Sequence, residues 1–109
     1  MKINFDQELK TIEGTTLMRT KSDGDEVTPV PATLRWACVE ALLATSGEMA
    51  KLSGEQKAKR YDLALKVQGA NGPLELGVED VAEIRKLCDA HFAPLIVGQT
   101  RRLLDPTSE

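Results

Sequence analysis

Apolar positions in the second half of this chain recur at helical spacing, and those near the start alternate. Leu34, Trp36, Ala37, Cys38, Val39, Ala41, Leu42 and Leu43 predict a first helix over about Ala32 to Thr45. Pro31 suits its first turn and Gly47 supplies a stop. Arg35 and Glu40 are its strongly polar sites, so a helix this apolar belongs at the centre of a bundle or in an interface. A second helix opens at Ser53, with Gln56 three residues on completing a capping-box pattern, and runs to about Gln68. Ala58, Tyr61, Ala64 and Leu65 share its predicted apolar face, with Leu63 and Val67 beside it.

Gly69-Ala70-Asn71-Gly72-Pro73 breaks the pattern, and Leu74-Glu75-Leu76 reads as a short extended piece. The third helix covers about Val78 to Phe92, with Val81, Ile84, Cys88 and Phe92 as its stripe. Glu79 and Asp80 oppose the positive end of its dipole. The fourth begins at Pro94 and runs to about Leu104, burying Ile96, Val97, Thr100, Leu103 and Leu104; Asp105-Pro106 ends the ordered pattern.

Before these helices the period changes. Ile3 and Phe5 alternate with Lys2, Asn4 and Asp6, and Thr15-Thr16-Leu17-Met18 follows a turn at Glu13-Gly14. A short hairpin or an extended arm satisfies this pattern, and either must lie against the helices or another chain. From Arg19 to Pro31, Ser22-Asp23-Gly24-Asp25, Pro29 and Pro31 read as a mobile loop. The predicted fold is mainly α: a compact four-helix domain with a short N-terminal β-hairpin or extended arm. The predicted organisation is an arm and flexible loop over 1–31, a helical domain over 32–105 and a tail over 106–109.

Composition narrows the function classes. The 109 residues fit one domain, with 41% hydrophobic, 28% charged and 4% aromatic positions, so the core must rest on aliphatic side chains. A net charge of −3 disfavours a protein whose whole field draws it to nucleic acid. No apolar run reaches the length of a membrane span, and the opening Met1-Lys2-Ile3-Asn4-Phe5-Asp6 lacks a secretory core, which predicts an intracellular protein.

Chemistry is sparse. Cys38 and Cys88 sit among apolar neighbours and read as small core hydrophobes; a lone His91 and no CxxC spacing argue against a metal site. A calcium loop centred on Gly72 would need oxygen ligands where Val67, Gly69 and Val78 stand. His91 lies one turn from Cys88, but both are predicted to face inward, without a cleft for nucleophilic catalysis. No phosphate loop, paired-carboxylate motif or serine elbow is present. The expectation is a non-enzyme without cofactor or metal.

Lys51, Lys57, Lys59, Arg60 and Lys66 are interspersed with acids and read as a solvated, ion-paired face. Arg101 and Arg102 fall with Gly98 opposite the buried arc of the fourth helix. They either meet an acidic partner surface or complement the helix dipole. Trp36 is either a core anchor or an interface contact. The candidate partner-binding residues are therefore Ile3, Phe5, Trp36, Arg101 and Arg102.

Longer stretches add a resemblance. Met1-Lys2-Ile3-Asn4-Phe5-Asp6-Gln7, Ala41 to Thr45, Leu52 to Ala64, Val78 to Leu87 and Pro94 to Gln99 together resemble a family of small bacteriophage and prophage proteins of poorly defined function. The resemblance covers most of the chain apart from the acidic segment around Ser22-Asp23-Gly24-Asp25, which looks longer here, and it brings no catalytic residues. It implies a phage origin, with activity in the host bacterial cytoplasm or in the virion. The leading expectation is a virion assembly or tail/head accessory protein whose partner is a phage structural or assembly protein, with self-association through the arm an option. The alternative is a small inhibitor or regulator of a host macromolecule, such as a defence system. A nucleic-acid-binding regulator using Arg101, Arg102 and the second helix is the weakest of the three.

Overall fold

The computed structural model describes residues 2–44 and 51–104. Among these residues four helices and four short strands follow one another as β1 (Lys2–Asn4), β2 (Met18–Asp23), β3 (Glu26–Pro31), α1 (Leu34–Leu43), α2 (Gly54–Gln68), β4 (Pro73–Glu75), α3 (Val78–His91) and α4 (Pro94–Leu103). The fold is the expected four-helix domain with a short N-terminal β-hairpin, which is β2–β3, and a second two-stranded sheet, β1–β4, joins it.

Local chemistry accounts for the helix ends. The Thr33 side chain accepts from the Trp36 amide and caps α1, so the helix starts just after the predicted Ala32. Pro31 therefore closes β3 instead of opening the helix. The predicted stop, Thr45 to Gly47, lies outside the described residues, as does the segment from Asp105 on. At α2 the reciprocal box forms: the Gln56 amide donates to Ser53 Oγ at 3.1 Å and the Ser53 amide to Gln56 Oε1 at 3.0 Å. Pro94 occupies the first turn of α4.

α1 takes the central place that its composition demands. It packs against α2, α3 and α4. One side of it joins a core of Ile3, Phe5, Leu34, Cys38, Leu42, Val67, Ile84, Cys88 and Leu104. Its other side, through Ala37 and Trp36, joins a smaller cluster around Leu9 and Ala32. The α2 stripe is phased differently from the sequence reading. Leu63, Ala64 and Val67 are buried, whereas Tyr61 and Leu65 are more than half exposed. The half-buried Arg60 extends the inner face and reaches Glu83 on α3 at 2.9 Å. The packing of α1 against α2, with Glu83 of α3 in reach of Arg60, decides the face, and bulk alone does not.

The N-terminal third departs most from expectation. Ile3 and Phe5 do not form an arm: β1 pairs antiparallel with β4, Ile3 opposite Leu74, and both side chains sink into the core at 4% and 0% exposure. The turn before Thr15 is present, closed by Gly14 N–H to Thr11 O at 2.9 Å, but it joins only a single bridge between Lys10 and Thr16.

The expected mobile loop over Arg19 to Pro31 is instead a regular hairpin of six cross-strand pairs, from Met18–Pro31 to Asp23–Glu26. Two details of the sequence explain this. Gly24, at φ +67°, occupies the first central position of a two-residue turn, where a II′ geometry needs glycine. With Asp23–Glu26 as the closing hydrogen-bonded pair, bonded and non-bonded pairs alternate down the ladder. Pro29 and Pro31 then fall at non-bonded positions, where the ladder asks for no amide hydrogen.

Candidate interaction surface

The hairpin is anchored firmly at its root. Leu9, fully buried, lies between the two strand ends: its amide donates to Ala32 O at 2.8 Å, and its carbonyl accepts from the Leu17 amide at 2.9 Å. The adjacent Lys10 backbone is clamped by one side chain of α4. Its amide donates to Gln99 Oε1 at 2.6 Å, and its carbonyl accepts from Gln99 Nε2 at 2.7 Å. Beyond this root, residues 20–29 are exposed, the apolar Val27 at 64%. A fixed base therefore carries a projecting ribbon.

The two edges of that ribbon differ. Alternation of the ladder turns the backbone of Met18, Thr20 and Ser22 outward on β2, and that of Val27, Pro29 and Pro31 outward on β3. Proline removes two of the three amide donors from the β3 edge, which blocks continued pairing there. The β2 edge keeps all its donors and acceptors.

One face of the hairpin overlooks α1. Between them runs a groove of about 480 Å³, lined by Arg19, Lys21, Val30, Trp36, Val39 and Glu40 among others. The Arg19 guanidinium carbon stands 5.5 Å from the centre of the Trp36 ring, within the range of a cation–π contact. Its buried Nε has no hydrogen-bond acceptor among the described residues. Trp36 in turn lies 5.6 Å from Phe92, tilted by 47°. Arg35 also borders the groove but is committed elsewhere: Nε donates to Val67 O at 3.2 Å, Nη2 to Ala70 O, and Nη1 pairs with Asp6.

The sequence candidates scatter. Trp36 is half-buried, packed beside Phe92 with its ring in the groove wall. Ile3 and Phe5 are enclosed, so neither offers surface to a partner in this fold. Arg101 and Arg102 are exposed on α4, remote in sequence from the arm. Arg101 makes a two-pronged bond to Asp89 of α3 at 3.1 and 2.8 Å, and that carboxylate raises the guanidinium pKa further. The candidate surface is therefore built from Arg19, Thr20, Lys21 and Ser22, which the loop reading hid. Their signal was present in the chain: alternating side chains, a β-branched residue and an Asp-Gly pair two residues past Lys21.

The remaining chemistry is dispersed. Cys38 and Cys88 are both free and fully buried in the core. A thiol–thiol hydrogen bond with Cys88, reinforced by burial, holds Cys38 protonated well above the ordinary thiol range. His91 is exposed and stands edge-on to Phe92 at 4.7 Å, so it does not share the inward face expected for it beside Cys88. A second cleft of about 310 Å³ between α2 and α3 is lined by Lys59, Arg60, Glu79, Asp80 and Glu83 among others, charges of both signs. Among the described residues, no three His, Cys, Asp or Glu side chains gather as a metal site, and no helix is long and apolar enough to cross a membrane. No family model, curated protein or solved structure matches this chain.

Proposed function

We propose that this chain is a non-enzymatic protein acting through protein–protein contact, with the β2–β3 hairpin as its contact arm. The observation that carries the reading is the asymmetry of that arm: a clamped root, an exposed ribbon, one edge blocked by prolines and the other open. Natural sheets blunt the edges they do not use. An open edge on a projecting ribbon is suited to receiving a strand.

The phage setting rests on the sequence resemblance. Within it, we assign the arm to virion assembly, as a tail- or head-associated accessory in the host cytoplasm or the particle. The alternative, regulation of a host macromolecule, would use the same arm on a different partner.

Site-specific photocrosslinking separates them. A benzophenone side chain at Ser22, introduced in infected cells, is expected to capture one phage structural or assembly protein. Capture of a single host protein instead transfers the proposal to the regulatory alternative. No adduct above that from the same probe at Lys57, exposed on α2, refutes the arm reading altogether.

A further inference from the structure

Resting on the arm reading, we propose that the open edge of β2 binds an extended acidic segment of a protein partner as an added strand, its carboxylates facing Arg19 and Lys21. The backbone supplies the first half of the argument. Met18, Thr20 and Ser22 present their amides and carbonyls outward, and among the described residues no backbone hydrogen bond engages them there. A strand laid alongside completes the ladder and places its alternate side chains level with Arg19 and Lys21, which lie two residues apart on one face.

Charge supplies the second half. Arg19 is braced on Trp36, and its buried Nε has no acceptor among the described residues, so its guanidinium is already positioned for a carboxylate. Lys21 continues the same line, and both cations line the groove. Next along the strand comes Asp23, with Asp25 and Glu26 at the turn. The complementary segment thus carries acids opposite Arg19 and Lys21 and a base opposite Asp23.

A polynucleotide fits less well, because a phosphate chain following this edge meets Asp23 two residues past Lys21 and then Asp25 and Glu26 at the turn. A second copy of this chain is the rival occupant. Antiparallel β2 edges set Arg19 against Lys21 twice in one register, but in the next, with Lys21 opposite its counterpart, they pair Arg19 with Asp23 twice, so self-association is measured by sedimentation beside the titration.

The chain has one tryptophan, and it stands in the groove wall, so its emission reports occupancy. The probe is the synthetic peptide acetyl-Thr-Lys-Thr-Glu-Thr-Glu-Val-Thr-amide, titrated into the full chain at low salt. A saturable change in Trp36 emission is expected, with Kd below about 1 mM. Lys21→Glu should weaken it by about tenfold, and so should Thr20→Pro. The latter removes one outward amide at a site of the same class as its cross-strand neighbour Pro29, leaving the hairpin's own ladder intact. Hairpin amide shifts in both variants, and a Thr20→Val control that retains affinity, separate lost binding from lost folding.

The proposal is overturned by any of five results. These are no saturable change, equal affinity for a peptide with Glu and Lys exchanged, displacement by decathymidylate, affinity untouched by Thr20→Pro in a folded hairpin, or a dimer of the free chain that Thr20→Pro dissociates. The Ser22 crosslink is independent of this test. If it captures a partner while the peptide fails, the arm stands and strand addition by an acidic segment falls.

Discussion

Arg35 should hold the N-terminal segment, α1 and the end of α2 together, and replacing it by methionine measures that role. Methionine keeps the apolar stem and removes the guanidinium, whose side chain is 20% exposed. Three contacts disappear. The bond to Ala70 O is charge-assisted, a class worth about 1.5–3 kcal/mol net. The bond to Val67 O is worth less, about 0.5–1 kcal/mol, because the amides of Gly69 and Ala70 also donate to that carbonyl. The pair with Asp6, whose side chain is half exposed, adds about 0.5 kcal/mol. The loss should total about 3 kcal/mol, a large part of the stability of a domain this small. At a urea slope near ~1.3 kcal/mol/M the unfolding midpoint drops by roughly 2 M. Arg35→Lys keeps the charge without the fork and should lose about half as much. Asp6→Asn should shift the midpoint by less than about 0.5 M. If Arg35→Met costs no more than Asp6→Asn, the two carbonyl contacts carry no energy and the reasoning is refuted.

Phe5→Ala, at a fully buried position, should destabilise by about 3–5 kcal/mol in urea titration without altering self-association by sedimentation; a changed oligomeric state in a folded variant would restore Phe5 as a contact. Because Cys38 keeps its proton in the folded state far above its ordinary value of 9.0, the stability tied to that proton is complete below the unfolded thiol pKa and declines as pH rises past it. The decline should approach about 1.4 kcal/mol per pH unit and disappear in Cys38→Ala; parallel pH profiles would contradict the assignment. Gly24→Ala forces a β-carbon onto φ +67° and should weaken the hairpin by about 1 kcal/mol, seen as faster amide exchange at Thr28 and Val30 with the helices unaffected.

The helices were legible because each carries its boundary chemistry locally. Ser53 with Gln56, Pro94 at its helix start and the apolar run after Thr33 need no information from elsewhere in the chain. What failed was non-local. Ile3 and Phe5 read as an arm because β4, the strand that pairs with β1, lies some seventy residues away and is only three residues long. The hairpin reads as a loop because proline and glycine break most strands, and here they fall at non-bonded ladder positions and at a positive-φ turn position, which a strand tolerates. The candidate surface went unseen for the same reason. Arg19 and Lys21 acquire meaning only once a strand sets them on one face and α1 brings Trp36 beneath them. On α2, periodicity found a helix but not its phase, since nothing within α2 itself specifies where α1 and α3 will stand.

The clamp between Lys10 and Gln99 ties the aim of the arm to a residue 89 positions later in the chain. Both of its bonds run through a single carboxamide, so one side chain on the last helix shares with Leu9 the task of seating the ribbon. Any shift of α4 along its axis would be passed to the hairpin root, coupling the bearing of the ribbon to the packing at the far side of the domain.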